Sequence, residues 1–342
     1  MSPRSGLLPI AEAKLPLYAG VDLGGTNIKA ALVDDEGRLV GFHTEPTHAA
    51  RGPEDAAARM GQAVHTLARA AGIATADIAR VGLGSPGPLD IAEGQILRAG
   101  NLPGWDNFPL RDRVRDHCGL PVTFANDANA AAYGEFWVGS GRDFDSLILL
   151  TLGTGVGGGI IVGDVNIEGA HSHGSECGHL IVDTSASARL CPCGHTGHLE
   201  AYCSATSLVK MAEEALAAGA AGRLADAVGG GEKLTPIVVA REAEAGDPLA
   251  HDLLMEVARW LGIGIASLMH VVDPEAVIIG GAMTFGREAN PVGRAFLEWI
   301  REEVRHRTFP TLAANTSLRY ATLGGDAGSI GAAGLARLHR AG

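Results

Sequence analysis

The sequence predicts an α/β protein built from two related halves, because one pattern of elements occurs twice along the chain. The pattern is an apolar strand, a glycine-rich turn, a partner strand and, further on, a helix followed by a buried strand. The length of 342 residues also exceeds one ordinary domain of roughly 100–200 residues. Apolar residues make up 46% of the chain, which is enough for two cores, so we expect a folded two-domain protein.

In the first half, tight turns join three short strands into an antiparallel meander. We predict these strands at Leu17–Asp22, Asn27–Asp34 and Leu39–Thr44. A helix is predicted at Pro53–Ala71, since proline favours the first turn of a helix and a glycine follows the last residue. A buried strand at Ala79–Leu83 completes the half.

The second half repeats this order with a longer helix. A strand at Leu147–Leu152 leads into a glycine-rich turn at Gly153–Gly159 and a partner strand at Ile160–Val162. A helical stretch at about Pro248–Val272 precedes a buried strand at Val277–Ile279. Two glycine turns facing one cleft would hold the phosphate chain of a single nucleotide, since ligand sites are common between domains.

The expected domain bounds follow from these elements. We place an N-terminal extension at 1–16, a smaller α/β domain at 17–124 together with about 326–342, and a larger α/β domain at 125–325. The stretch 171–203 of the larger domain has no helix or strand periodicity. An unstructured loop of that length is usually functional or bound to a metal.

Charge and cysteine content narrow the classes of partner. Acidic residues number 39 and basic residues 27, which gives a formal net charge of −12. This balance argues against nucleic acid, whose binding needs a basic face, and against an anionic membrane surface. No apolar run approaches the ~18–20 residues that span a bilayer, so we expect a cytoplasmic protein. The five cysteines cannot all pair in disulfides, and in the cytoplasm a metal site is the more natural use.

The first glycine turn follows the first strand and has the residues of a phosphate site. Gly24 and Gly25 lack side chains, so backbone amides can converge on phosphate oxygens, and Thr26 adds a hydroxyl. Asp22 would hold Mg²⁺ through water, and Lys29 would reach a phosphate. An ordinary Gly-Gly hairpin remains the alternative.

The second turn is richer in glycine, with five glycines in the nine positions from Thr151 to Gly159. A plain hairpin needs one or two, so phosphate binding is favoured, although the spacing fits neither a Walker loop nor a dinucleotide-binding turn. A further pair, Gly280 and Gly281, follows the last predicted strand and would allow close approach by an adenine or ribose.

A polar cluster precedes a helix of small residues at Asn126, Asp127 and Asn129. A helix N-cap would explain one of these residues but not three. We interpret Asp127 as the base that accepts a proton from a substrate hydroxyl, with Asn126 orienting that substrate. The helix N-terminus favours the ionised form of such a carboxylate.

Thiols and imidazoles gather in the aperiodic loop. His179, Cys191, Cys193 and His198 make a complete tetrahedral set for zinc, with His195 as a competing ligand. Because all four positions would be filled by protein, the site is expected to be structural and to order a loop that lacks its own core.

Two carboxylates, Glu176 and Glu200, flank the predicted zinc ligands. A metal that fixes the loop would also fix these side chains, and paired carboxylates suit hydrogen bonding to a polyol. A lone surface glutamate is the ordinary alternative for either residue.

Taken together, these residues resemble the ROK family of bacterial sugar kinases, with bacterial glucokinases as the nearest group. The resemblance runs from about Leu17 to Leu335 and rests on five segments in the family's order: VDLGGTNIKAALVD, FANDANAAAYGE, LLTLGTGVGGGIIV, GSECGHLIV and CPCGHTGHLEAYCS. It implies an actin/hexokinase-like (ribonuclease H-like) fold with duplicated mixed sheets and an inserted zinc-binding loop.

The resemblance also implies roles for individual residues. ATP-binding positions would be Asp22, Gly24, Gly25, Thr26, Lys29, Thr154, Gly155, Gly157, Gly158, Gly280 and Gly281. Sugar-contacting positions would be Asn126, Asp127, Glu176, His179 and Glu200, with Asp127 as the catalytic base. Zinc ligands would include His179, Cys191 and Cys193.

Two departures from the family pattern matter. The third cysteine of the usual zinc motif is His198 here, which is still a competent zinc ligand. The usual Ala-Gly-Glu before Gly-His is Gly174-Ser175-Glu176, which leaves sugar specificity open.

The expected reaction is phosphorylation of a hexose at O6 by ATP with Mg²⁺, with glucose as the leading substrate and a homodimer or homotetramer as the usual assembly. N-acetylglucosamine, mannose or fructose as acceptor, and polyphosphate as donor, remain alternatives. A sugar-responsive repressor and an actin-like ATPase are the rivals from other classes. The repressor is disfavoured by the negative charge and by the short stretch of about sixteen residues before the first strand.

Overall fold

The computed structural model describes residues 6–98, 102 and 104–339. Its chain forms two compact units. The first contains the residues up to Asp145, Gly159–Ser175 and the residues from Thr322 onward. The second contains Ser146–Gly158 and Glu176–Ala321.

Each unit contains both strands and helices. The strands are β1 (Leu17–Leu23), β2 (Asn27–Val33), β3 (Leu39–Pro46), β4 (Ile78–Ser85), β5 (Leu89–Asp90), β6 (Gln95–Ile96), β7 (Val122–Asn126), β8 (Ser146–Leu152), β9 (Val156–Val162), β10 (Val165–Asn166), β11 (Ala276–Gly281) and β12 (Ser317–Tyr320). The α-helices are α1 (Pro53–Ala71), α2 (Leu110–Cys118), α3 (Asp127–Trp137), α4 (Glu200–Cys203), α5 (Ala205–Ala217), α6 (Arg223–Gly229), α7 (Pro236–Glu244), α8 (Pro248–Val272), α9 (Pro291–Arg307), α10 (Pro310–Asn315) and α11 (Ala327–Leu338).

The first unit is organised around a five-stranded sheet in the order β3-β2-β1-β4-β7. The antiparallel β1–β2–β3 meander and the following helix and strand confirm the pattern predicted for the first half. Strands β1, β4 and β7 run parallel, so their carboxyl ends meet at one edge of the sheet. Helix α11 lies so close to this sheet that a Cβ at Gly20 or Gly82 would be 1.8 Å from a helix carbonyl oxygen.

The second five-stranded sheet has the order β10-β9-β8-β11-β12, so mixed sheets occur twice, as predicted. Strand β11 is parallel to both β8 and β12. The chain passes from the second unit to the first within β9, between Gly158 and Gly159. Because β9 already begins at Val156, the glycine turn is shorter than predicted, and Gly157 and Gly158 are strand residues.

Helix α8 corrects one sequence expectation. By length and composition it is apolar enough to cross a bilayer, the only such helix in the described ranges, although we expected no such stretch. Half of its most apolar window is buried inside the protein. Its buried residues recur every three or four positions, as in Leu254, Val257, Leu261 and Ile265, which is typical of a helix that packs one face on a core.

The unit boundaries differ from the predicted bounds. The first unit continues through α3 to Asp145 rather than ending at 124, because α3 packs directly on α11. A Cβ at Gly331 would lie 1.7 Å from the carbonyl oxygen of Ala130, which shows how closely the two helices approach. The chain returns to the first unit at Thr322, and the 171–203 loop divides between Ser175 and Glu176.

Candidate functional site

In the first unit, the carboxyl ends of β1, β4 and β7 place two predicted site residues side by side. Asp22 in β1 is in register with Gly84 in β4, and Asp127 follows directly after β7. A Cβ on Gly84 would lie 3.8 Å from Oδ1 of Asp22 and 3.7 Å from Cα of Asp127. Asp22 and Asp127 therefore flank a residue without a side chain, at the edge where ligands bind in parallel sheets.

The Asp22 carboxyl carries a strongly shifted pKa. Loss of hydration on burial, together with the negative charge of Asp127, raises the pKa of Asp22 to about 7, and the charge of Lys29 opposes both effects. Helix α11 adds to the burial, since a Cβ on Gly328 would be 2.6 Å from Oδ2 of Asp22. A carboxylate pair of this kind is the oxygen donor set that Mg²⁺ accepts.

The side chain of Lys29, which was predicted to contact a phosphate, already makes a hydrogen bond within the protein. Its Nζ donates a hydrogen bond to the carbonyl oxygen of Gly325 at 2.6 Å. An ammonium group has three donors, so this bond leaves capacity for a phosphate. The hydrogen bond therefore holds the Lys29 charge near Asp22.

The first glycine turn is a tight hairpin whose carbonyl oxygens are already engaged. The amide of Gly24 donates to the carbonyl of Asn27 at 3.0 Å. Buried Thr47 donates its hydroxyl to the carbonyl of Gly24 at 2.6 Å and its amide to the carbonyl of Thr26 at 2.8 Å. The amides of Gly25 and Thr26 take no part in these bonds, and both residues are exposed at the tip.

Asn126 and Asp127 have different local roles. Asn126 is the N-cap of α3, because its side-chain oxygen accepts from the amides of Ala128 at 2.9 Å and Asn129 at 3.1 Å. Asp127 is the first helical residue, and its Oδ1 also accepts from Ala128 at 2.8 Å. The cap therefore uses Asn126, and the carboxylate of Asp127 starts the helix where the macrodipole favours negative charge.

In the second unit, the glycine turn between β8 and β9 spans only Gly153, Thr154 and Gly155. The amide of Gly153 donates to the carbonyl of Gly155 at 2.9 Å. The turn is tied to α5, because Ala205 donates its amide to the carbonyl of Gly153 at 2.8 Å and Thr206 donates its hydroxyl to the carbonyl of Thr154 at 2.9 Å. Thr154 is exposed at the tip.

Gly280 and Gly281 end the neighbouring strand β11. The register pairs Gly281 with Leu152, the last residue before the glycine turn. Gly281 has a φ of +87°, and a Cβ there would be 2.2 Å from the carbonyl oxygen of Leu152. Glycine is required at this point, and the predicted adenosine region lies beside the predicted phosphate turn.

Glu176, His179 and Glu200, the predicted sugar-contacting residues of the second unit, are close to one another. Nδ1 of His179 is 3.3 Å from a carboxylate oxygen of Glu176. This hydrogen bond is the largest cause of a raised pKa for His179, and the charges of Glu176, Glu200 and Cys193 add to it. The other predicted sugar residues, Asn126 and Asp127, belong to the first unit.

The predicted metal ligands form one cluster. One ligand atom each from His179, Cys191, Cys193 and His198 lies within 4.8 Å of the other three. Nδ1 of His198 is 3.2 Å from the sulfur of Cys193, whereas Nδ1 of His195 is 3.8 Å from it, and His195 is outside the cluster. Two thiols and two imidazoles at this spacing fit a tetrahedral Zn²⁺ ion.

The two thiols of the cluster differ in acidity. Burial raises the pKa of Cys191 to about 12. Burial acts in the same direction on Cys193, but hydrogen bonds from the His195 amide and from the His195, Cys191 and His198 side chains lower its pKa to about 6. Cys193 therefore reaches the thiolate form that metal coordination needs near neutral pH.

Three residues that position this chemistry were missed in the sequence. Gly84 lies between Asp22 and Asp127, Gly328 brings α11 against Asp22, and Thr47 fixes the first turn. The glycine-rich run at 324–328 was a usable signal for a close approach. Thr47 had none, since its role depends on a tertiary contact.

Comparison with known proteins identifies the family to which this chain belongs. The ROK family model matches residues 18–339. A glucokinase from Halalkalibacterium halodurans is 35% identical over 314 residues, which cover 92% of this chain and 93% of the relative. A ROK hexokinase from Thermus thermophilus has a TM-score of 0.79 at 34% identity, covering 94% of this chain and 98% of that chain.

A second solved structure shows bound ligands. It is a ROK family glucokinase from Streptomyces griseus in complex with glucose and AMPPNP. Its TM-score is 0.76 at 35% identity, and the match covers 94% of this chain and 99% of that chain.

Proposed function

Because this chain belongs to the ROK family and is a sugar kinase, we propose that it transfers the γ-phosphoryl group of ATP to O6 of glucose. The observation that carries the proposal is the Asp22–Asp127 pair at the carboxyl edge of the first sheet, in a chain with two glycine turns. Support for glucose comes from the Halalkalibacterium glucokinase and from the Streptomyces griseus enzyme in complex with glucose and AMPPNP.

In the proposed reaction, Asp127 accepts the proton of the sugar 6-hydroxyl as the oxygen attacks the γ-phosphorus. A bond from O6 to phosphorus forms, and the bond from phosphorus to the bridging oxygen of ADP breaks. The protein contributes position and electrostatics rather than a covalent intermediate. Asn126 orients the substrate next to the base.

We propose that groups of both glycine turns neutralise the negative charge of the ATP phosphates. The predicted contacts are the amides of the first turn, the ammonium of Lys29 and the amides of the second turn. Asp22 would hold Mg²⁺, which neutralises charge on the phosphate chain when bound. Gly280 and Gly281 would receive the adenosine.

We assign Glu176, His179 and Glu200 to the sugar. Carboxylates and an imidazole held together accept and donate hydrogen bonds to several hydroxyls at once. Zn²⁺ bound by His179, Cys191, Cys193 and His198 would hold this loop in place, since the large apolar side chains of Ile181 and Leu190 are exposed.

The test is a coupled assay of ADP release over a panel of hexoses, with phosphorus NMR of the product. We expect the highest kcat/KM with glucose and a 6-phosphate product. Equal or higher values with mannose, fructose or N-acetylglucosamine would reassign the acceptor. Activity with polyphosphate but not ATP would reassign the donor, and ATP turnover independent of sugar would favour an ATPase.

A further inference from the structure

Glu200 has a contact that a sugar-binding role does not explain. Its Oε2 accepts a hydrogen bond from the backbone amide of Val156 at 2.9 Å. Val156 directly follows the second glycine turn and is the first residue of β9. The carboxylate therefore holds the backbone at the point where the turn becomes a strand.

The adjacent glycine is shaped to this carboxylate. A Cβ on Gly155 would lie 2.2 Å from Oε2 of Glu200, which no ordinary contact allows. Gly155 does not adopt a positive φ. The Glu200 carboxylate packs directly against the turn here, and a larger residue at this position would displace it.

The other oxygen of Glu200 is oriented toward the metal cluster. Sγ of Cys191 is 3.9 Å from Oε1, and Glu200 is the first residue of α4, two positions after the cluster residue His198. One side chain thus links the Cys/His cluster to the second glycine turn, and all of these contacts lie within the second unit.

We propose that Glu200 is a positioning residue for nucleotide binding, which holds the second glycine turn in its phosphate-binding shape. This inference rests on the proposed function, because it takes that turn as the phosphate site. It adds to the sugar assignment of Glu200 a role in donor affinity, exerted through the Val156 amide.

The experiment measures AMPPNP affinity by calorimetry without sugar, and glucose affinity separately. Loss of a charged acceptor to a backbone amide should weaken AMPPNP binding about tenfold in Glu200→Ala. Glu200→Gln keeps an acceptor oxygen and should recover most of that loss. The matched control, Glu176→Ala, removes a neighbouring carboxylate that pairs with His179, and should weaken glucose binding while leaving AMPPNP binding within twofold.

A second readout does not depend on ligand. Hydrogen–deuterium exchange of the peptide containing Val156 should be faster in Glu200→Ala and near wild type in Glu200→Gln. Unchanged exchange and AMPPNP affinity in a folded Glu200→Ala protein would overturn the inference alone. Wild-type protein that binds AMPPNP without phosphorylating any sugar would overturn the proposed function alone, and wild-type protein that binds no nucleotide would overturn both.

Discussion

The first glycine turn is held by the hydroxyl and amide of Thr47, whereas the second is held by the carboxylate of Glu200 together with Ala205 and Thr206 of α5. Thr47 belongs to the buried interior of the first unit and engages the carbonyl oxygens of its turn. Glu200 engages an amide and belongs to a loop region with a Cys/His cluster. The first turn is therefore fixed by hydrogen bonds from a buried residue, and the second depends in part on a segment that a metal would order.

The largest expected effect concerns the first region. Asp127→Asn keeps the shape of the side chain but removes the base, so kcat should fall by about 10²–10⁴-fold. The mutation should leave zinc content nearly unchanged, because the metal cluster belongs to the second unit. Steady-state kinetics and metal analysis check both, and a kcat near the wild-type value would remove Asp127 from the catalytic role.

Removal of the metal should affect the second glycine turn and leave the first unchanged. We expect about one zinc per chain, which a strong chelator or Cys191→Ser would lower. Hydrogen–deuterium exchange should then rise in 176–203 and in the second turn, while peptides of the first turn exchange as before.

Cys118→Ala is the matched control for that experiment, since Cys118 is a buried cysteine of the first unit and is not in the metal cluster. It should retain full zinc content. An equal rise of hydrogen–deuterium exchange in both turns after zinc removal would contradict the proposal that only the second turn depends on the metal. Full zinc content in Cys191→Ser would contradict the assignment of Cys191 as a ligand.

The comparison also shows what was readable from the sequence. The predicted strands and helices exist because their apolar residues form short continuous runs or recur at helical spacing. Pro53–Ala71 was predicted to the residue, and the second long helix was predicted at about its observed bounds, Pro248–Val272. The Cys/His set was equally readable, because rare residue types close together in sequence also lie together in space.

What the sequence did not reveal depends on tertiary packing. The unit boundary at Asp145 follows from the contact between α3 and α11, which no local pattern encodes. Gly157 and Gly158 were assigned to a turn, because glycine marks turns, but here they lie in a strand. The contact of Glu200 with the Val156 amide joins residues 44 positions apart.

A smaller effect is expected from the pH dependence of stability in the first region. Because the folded pKa of Asp22 is about 7 and the ordinary value is 3.8, the folded state keeps a proton that the unfolded state releases. Stability should therefore fall as pH rises from about 4 to about 7, in the absence of nucleotide and Mg²⁺. Asp22→Asn should remove this loss.

The measurement is chemical unfolding of both proteins at pH 5 and pH 8. Between the two pH values, the free energy of unfolding of Asp22→Asn should rise relative to that of wild type by about 2–3 kcal/mol, and the variant should lose kinase activity. Control unfolding of Asp127→Asn should show a smaller gain of the same sign, since Asp127 is the second cause of the raised pKa. Parallel stability curves for wild type and Asp22→Asn would rule out a raised pKa at Asp22.

The smallest expected effect is at Ser175, the last residue of the first unit before Glu176. Ser175 has a φ of +66°, where glycine is favoured, and its hydroxyl donates to the carbonyl of Ile167 at 2.8 Å and accepts from the amide of Ile160 at 3.2 Å. Ser175→Ala keeps the strain and loses both bonds, so it should lower stability by about 1–2 kcal/mol. It should also raise the KM for glucose a few-fold without changing the KM for ATP, because the bonds hold the residue next to Glu176. Ser175→Gly relieves the strain and should give an intermediate KM for glucose, whereas an unchanged KM in Ser175→Ala would mean that Glu176 is positioned without this hydroxyl.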